Sequence, residues 1–336
     1  MKIGIVDRKN SNSCRWIDYC KKSGIAYKIV NPYMPDIYEQ LSDCTAFMWH
    51  INHGDYRDNI FAKSLMMSLA AKGLRLFPDI NSVWHFDDKI AEVYLLKALG
   101  APVAPTWIFY SKEDALKWLD TAEFPLVFKT KCGASSSNVW LLKDKSQAVK
   151  FVNKAFSKGF LHIDFLRMAI DYLKKFAKGR TRFRNVAKYI ALWLFPSKFK
   201  ANLFNREKGY VYFQKFFGAN NFDYRVVVIG CRAFAMKRFT RENDFRASGA
   251  GRIRYEKDSV PEDVVKLAFN VTEKLNAGSV AYDFVVDENG KPWIIEICYN
   301  NGYDPKDLEV GYWNKDMSFV AGKFEVCDWM VDSVVQ

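Results

Sequence analysis

The sequence predicts a mixed α/β and α+β protein of two or three lobes, and three observations carry that expectation. Short apolar strands alternate with helical stretches over residues 1–83, antiparallel hairpin patterns fill the last third of the chain, and a segment dense in lysine and arginine lies between them. At 336 residues the chain exceeds one ordinary domain and has ample material for a core. A hydrophobic content of 49% and a charged content of 26% are those of a globular protein, which excludes wholesale disorder.

In the first lobe, Ile3–Asp7, Ala26–Val30, Thr45–Trp49 and Leu74–Phe77 read as short buried strands, with helices around Asn12–Ser23 and Arg57–Lys72. That rhythm implies a parallel sheet with helices on its faces. No Gly-x-Gly-x-x-Gly follows the first strand, so nothing marks a dinucleotide site. A second lobe, 84–210, opens with a helix over Asp87–Leu99 that Gly100, Pro102 and Pro105 stop. A strand (Thr106–Tyr110), a helix (Lys112–Asp120), a strand (Pro125–Lys129), a small-residue loop (Cys132–Asn138) and a strand (Val139–Leu142) follow. The third lobe, 211–336, has a strand at Val211–Phe217, a hairpin of Arg225–Ile229 and Arg232–Arg238 turned by Gly230-Cys231, and a helix over Glu262–Asn276.

The hairpin pattern from Ala281 to Cys298 says most about function. Asn289-Gly290 suits a two-residue type I′ turn, because both central positions of that turn need positive φ. With Glu288 opposite Lys291, counting outward sets Asp283 across from Glu296, while Phe284, Val286, Trp293, Ile295 and Ile297 fill the other face. Directly opposed carboxylates repel unless a cation sits between them, and a hard divalent ion such as Mg²⁺ takes such oxygens.

The net charge is +12, and the window from Lys154 to Lys208 holds fourteen basic residues against three acids, so it carries +11 of the total. Within a basic insertion at 155–205, Ile163, Leu166, Ile170, Leu173 and Ala177 recur at helical spacing, with Arg167, Lys174 and Lys178 off the stripe. A second stretch sets Phe183, Val186, Ile190 and Trp193 against Arg182, Arg184 and Lys188, with Gly179 between the two helices. A solvated helical hairpin is the plain reading. The density of cations and aromatics over 158–202 also suits an interfacial helix pair on an anionic leaflet. Nucleic acid ranks lower, since the stripes are helical and form no stacking platform.

Seven cysteines without a Cys-x-x-Cys pair argue against a disulfide framework, and four histidines, of which only His50 and His53 are close, argue against structural zinc. The N-terminus opens into a strand pattern without a signal-peptide core, and no apolar run approaches the ~20 residues that span a bilayer. The expected setting is reducing and cytoplasmic, at the inner face of the cell membrane where the basic segment docks.

Further candidates are scattered along the chain. Lys129 ends an apolar strand before a Gly/Ser loop whose backbone N–H groups could approach a phosphate, and Lys89 opens a helix where its charge opposes the dipole. The Gly230-Cys231 turn sets Asp223 opposite Arg238 with Arg225 on the same face, and Arg246 precedes the small residues Ser248–Gly251. Trp49–Asp55, at a strand's C-terminal end, is a plausible substrate loop, with an ordinary polar loop the plainer reading.

The order of these features over residues 80–300 resembles the ATP-grasp superfamily, in the branch with glutathione synthetases, D-alanine–D-alanine ligases and the enzymes that add glutamate to a ribosomal protein. The N-terminal lobe looks like the Rossmann-like domain that precedes ATP-grasp. The resemblance implies an ATP-dependent carboxylate–amine ligase acting through an acyl-phosphate, using ATP with Mg²⁺ or Mn²⁺, in a family whose members often form homodimers. Lys89, Lys129, Gly133, Ser135 and Ser136 would bind ATP phosphates. Gln214, Lys215, Phe216 and Phe217 would clasp adenine, and Asp223 the ribose. Arg225, Arg238 and Arg246 would be the catalytic cations, facing the γ-phosphate and the acyl-phosphate. Asp283 and Glu296 would hold the metal. The family's asparagine ligand is replaced here by Cys298, a poor Mg²⁺ ligand, and Asn300 has the parity to take its place. Membrane docking would bring the ligase to a cell-envelope glycan or peptide precursor. The Cys298 departure keeps a non-catalytic ATP-binding scaffold as the alternative.

Overall fold

The computed structural model describes residues 1–336 apart from 10, 133–137, 178, 180, 197–204, 219–220, 241–243, 248–251, 300–304 and 336. Gly133, Ser135, Ser136 and Asn300 therefore lie outside the described residues. Backbone contacts divide the chain into a larger unit, Met1–Phe86 with Ala91–Val103 and Phe217–Gln336, and a smaller one, Asp87–Ile90 with Ala104–Phe216.

In the larger unit, the strands Tyr27–Val30, Ile3–Val6, Ala46–Met48 and Arg75–Phe77 form a parallel sheet in that spatial order. Ile3, Ile5, Ala46, Phe47 and Met48 are all buried, as strands covered on both faces require. A seven-stranded sheet follows, in the order Pro292–Cys298, Ser279–Val286, Phe222–Ile229, Arg232–Phe239, Gly311–Asn314 and Phe319–Ala321, with Ile253–Arg254 paired to Arg232–Phe239. Its pairings are antiparallel. Alternate side chains part to opposite faces: Tyr224, Val226, Val228, Tyr282, Phe284 and Ile294 pack with the helix Glu262–Leu275. On the other side, Val227, Ile229, Phe234, Met236 and Ala281 share one core with Ile3, Ile5, Trp16 and the C-terminal helix Val326–Val335. The boundary expected at residue 83 is thus bridged by a continuous apolar cluster.

In the smaller unit, Thr106–Phe109, Val211–Lys215, Leu126–Lys129 and Val139–Leu142 form an antiparallel sheet in that order. Val211–Lys215, grouped by the sequence reading with the 211–336 lobe, belongs here instead. It pairs with two neighbours, and Val211 and Phe213 are buried with Leu126 and Phe128. A two-stranded ribbon, Phe160–Leu161 with Arg206–Glu207, frames the helices Phe165–Ala177 and Phe183–Leu194. Gly179 between them has φ +65°, a conformation glycine adopts at no steric cost.

The hairpin from Ser279 to Cys298 reaches the expected pairing by another route. The Asp287 carboxylate accepts the amides of Asn289 and Lys291, and the Asp287 amide donates to the Lys291 carbonyl, so three residues rather than two make the loop. Gly290 takes φ +77°, and Asn289 is not among the positive-φ residues, so the turn is not type I′. Phe284 consequently pairs with Ile294, and an irregularity between Asp283 and Phe284 absorbs Ile295 and restores Asp283 opposite Glu296. Ile294, fully buried, occupies the core position expected of Ile295.

The Trp49–Asp55 stretch does structural duty. Trp49 is buried, the Asn52 amide donates to Asp58 Oδ2 at 2.7 Å, and the Asp55 carboxylate caps the helix Tyr56–Ala71. His50 Nδ1 accepts the Asn12 amide at 3.1 Å. Burial, with Arg8 and His53 nearby, lowers its pKa from the ordinary 6.5 to about 4. The folded value lies below the unfolded one, so this stabilisation is complete above pH 6.5 and is lost as pH falls towards 4. Denaturant titrations should show a loss of up to about 3 kcal/mol across that window, removed in His50→Asn. An equal slope in the variant would refute the assignment.

Candidate active site

Strand register brings five charged residues together at one end of the seven-stranded sheet. Asp223 pairs with Arg238, Arg225 with Asp283, and Asp283 with Glu296. They continue the face that carries Val227, Ile229, Met236 and Ala281 into the apolar core, so one sheet surface is half core and half charge. Arg238, only 6% exposed, makes a fork on Asp223 through Nε and Nη2, each at 2.7 Å. Its Nη2 also lies 2.9 Å from Asp283 Oδ2. What a surface pair would place in water is here a buried network in which two carboxylates share one guanidinium.

Burial pushes the Asp223 carboxyl up to about 6 against the pull of Arg238, and the Asp283 charge adds to the rise. Despite burial, Asp283 and Asp223 together push the Arg238 guanidinium further up, so it stays charged. Arg225 Nε is buried, lies 3.7 Å from Asp283 Oδ1 and makes no hydrogen bond among the described residues. A buried donor of this kind is costly unless an acceptor comes to it.

The opposed Asp283 and Glu296 carboxylates, with that orphaned donor beside them, suit a hard divalent cation carrying phosphate oxygens. Cys298 pairs with Ala281, is half-buried and takes part in no disulfide. Arg246 makes its own fork-shaped pair with Asp244, with Nη2 at 2.7 Å from Oδ2. The described contacts bring Arg225 and Arg238, rather than Arg246, onto Asp283.

In the smaller unit, Lys89 and Lys129 are each 4% exposed, so the Lys89 side chain at the helix start is buried. The Lys89 amide donates to the Lys131 carbonyl at 3.0 Å, tying the start of the helix Lys89–Ala98 to the end of the strand that carries Lys129. Gln214 is buried and donates to Thr106 Oγ1 and the Tyr212 hydroxyl, both at 3.1 Å. The Lys215 amide donates to the Pro105 carbonyl at 2.8 Å, and its side chain is exposed. Phe216 is half-buried, while Phe217 belongs to the larger unit and stacks on Trp293. The chain thus passes from one unit to the other inside the stretch read as an adenine clasp.

Two features escape sequence reasoning. Glu92, 4% exposed, accepts the Ile297 amide beside Glu296, and nothing in the helical spacing distinguishes it from a solvated acid. Cys132, His162 and Glu207 converge in the smaller unit from separate parts of the chain, a grouping that sequence spacing does not reveal.

No family model matches the chain, and no curated protein matches it. Solved structures do. A RimK domain ATP-grasp protein from Sphaerobacter thermophilus is similar over 100% of both chains, with a TM-score of 0.58 and 15% identity. D-alanine–D-alanine ligase from Bacillus anthracis matches over 100% of this chain and 96% of its own, with a TM-score of 0.54 and 14% identity. The biotin carboxylase domain of Hydrogenobacter thermophilus 2-oxoglutarate carboxylase, a complex with MgADP and bicarbonate, matches over 99% of this chain and 69% of its own, with a TM-score of 0.58 and 14% identity. The chain has the ATP-grasp fold.

Proposed function

We propose that the protein is an ATP-dependent carboxylate–amine ligase working through an acyl-phosphate, built as a Rossmann-like segment followed by the two lobes of ATP-grasp. The observation that carries this reading is the Asp283–Glu296 pair with Arg225 and Arg238 on the same sheet face. The MgADP complex of the biotin carboxylase domain supports nucleotide and metal on this fold. Asp283 and Glu296 would hold Mg²⁺ or Mn²⁺, which when bound supplies charge neutralisation on the phosphates of ATP. Lys89 and Lys129 bind phosphate oxygens, the segment from Gln214 to Phe217 contacts adenine, and Asp223 contacts the ribose.

A carboxylate is a poor electrophile because its oxygen leaves badly. Transfer of the γ-phosphoryl group makes that oxygen part of a good leaving group, and amine attack then yields an amide, ADP and phosphate. Arg225 offers its orphaned Nε–H to the charge spread over the transferring group, and Arg238 holds Asp223 and Asp283 in register. Screening carboxylate and amine pairs for ADP release tests the reading. Stimulation above ATP alone by one pair is expected, whereas ATP binding with no stimulation across the screen favours the scaffold.

The acceptor is proposed to lie at an anionic membrane surface. The helix Phe165–Ala177 exposes Leu166, Ile170 and Leu173 on one face, 42–47% exposed, and Phe183 of the next helix is 63% exposed. Val186 of the second predicted stripe is instead buried, and rings of Tyr172 and Tyr189 pack between the helices. No helix among the described residues is long and apolar enough to cross a membrane. Arg167 turns inward, donating to the Val139 carbonyl and lying over the Trp140 ring, whereas Lys174, Arg184 and Lys188 are exposed. An apolar face with such cations suits the headgroup boundary, where each cation contributes ~1 kcal/mol. Pelleting with phosphatidylserine vesicles is expected to fall with salt and to disappear in the triple variant Leu166→Glu, Ile170→Glu, Leu173→Glu. Undiminished sedimentation of that variant would remove the membrane from the account and, with it, the envelope glycan or peptide precursor.

A further inference from the structure

Cys132, His162 and Glu207 each direct one donor atom into a common region, and these atoms all lie within 4.8 Å of one another. We propose that they form a binding site for a divalent cation of the Zn²⁺ class, separate from the carboxylates of the seven-stranded sheet. The donor chemistry selects the ion. Sulfur, imidazole nitrogen and one carboxylate oxygen are the zinc set, whereas Mg²⁺ and Ca²⁺ take oxygens.

The geometry is close to that of a loaded site. His162, 8% exposed, has Nδ1 at 3.7 Å from Glu207 Oε1, and two ligands on a tetrahedral ion with bonds of ~2.0–2.1 Å stand only slightly closer. The other ring nitrogen, Nε2, lies 4.0 Å from Asp87 Oδ2. A carboxylate facing the remote nitrogen orients a metal-bound histidine and sets its tautomer. Tyr210 donates its hydroxyl to Glu207 Oε2 at 2.7 Å, which leaves Oε1 to the ion. The carboxylates of Asp87 and Glu207 place negative charge near Cys132 that a bound cation would offset. The opposing charge nearby is Lys131, whose Nζ lies 3.7 Å from Asp88.

The site has a structural consequence. His162 and Glu207 stand where the ribbon Phe160–Leu161/Arg206–Glu207 opens into the helical pair, and Cys132 immediately precedes Gly133 of the Gly/Ser stretch. The ion would therefore fasten the root of the helical arm to the stem of that stretch.

The test uses the full-length protein without added histidines, stripped with a chelator and titrated with Co²⁺ alone. One equivalent per chain should produce tetrahedral d–d bands and a thiolate-to-cobalt charge-transfer band, both displaced by Zn²⁺. The charge-transfer band should be lost in Cys132→Ser and the d–d intensity should fall several-fold in His162→Gln. Cys14→Ser, Cys231→Ser and Glu296→Gln should leave both unchanged, so failure here and failure of the ligase reading are distinguishable. Absence of the charge-transfer band in the wild type would by itself show that Cys132, His162 and Glu207 are only a hydrogen-bonded cluster. Survival of the band in folded Cys132→Ser would equally overturn the site.

Discussion

Glu296→Gln should abolish substrate-stimulated ADP release while leaving the fold intact. The substitution keeps the shape of the side chain and removes one negative charge from the opposed pair with Asp283. Two carboxylates on adjacent strands repel, so the amide should leave stability unchanged or raise it by a few tenths of a kcal/mol. On the proposed reading the same change removes a hard anionic donor to the nucleotide-bound ion, and a loss of at least about 10²-fold in kcat is expected. A thermal melt and a coupled ADP assay read the two effects separately. Unchanged turnover would remove Glu296 from the chemistry, and a collapsed melt would make it a structural residue.

Arg238→Met should cost about 3–5 kcal/mol of stability, the largest change expected from a single substitution in this sheet. Its guanidinium satisfies Asp223 at two positions and Asp283 at a third, in a region nearly closed to water. Truncation leaves Asp223 with no cation in its fork and Asp283 with Arg225 at 3.7 Å. The double variant Asp223→Asn, Arg238→Met should lose less than the sum of the single changes, because the uncompensated charge goes with its partner. Urea titration measures both. A loss below about 1 kcal/mol in Arg238→Met would mean that the network is hydrated and contributes little.

How far the molecule is legible from its residues depends on how local the cause is. The parallel strands are readable because Ile3, Ile5, Phe47 and Met48 are buried on both faces and leave an unbroken apolar run. The Asp223–Arg238 pairing is readable because Gly230-Cys231, with Gly230 at φ +58°, fixes the register from a single short turn. The Asp283–Glu296 pairing is correct for a reason the sequence hides. The Asp287 side chain takes the amides of Asn289 and Lys291 and lengthens the loop, and the irregularity at Ile295 cancels the shift. Either alone would have put Glu296 on the wrong face. Partners distant in sequence are not legible at all. Nothing near Val211 announces that it joins Leu126 and Phe128, and nothing near Ile3 or Trp16 announces a shared core with Phe234 and Met330. The meeting of Cys132, His162 and Glu207 belongs to the same class.

Asp283 and Glu296 are proposed to act together on a nucleotide-bound ion. Electron paramagnetic resonance of Mn²⁺, with and without a non-hydrolysable ATP analogue, tests it most directly. The wild type should perturb the Mn²⁺ spectrum at one equivalent per chain only when the nucleotide is present, and Asp283→Asn with Glu296→Gln should abolish that perturbation. Nucleotide binding of equal strength in chelator, or an unchanged Mn²⁺ spectrum in the double variant, would contradict the account.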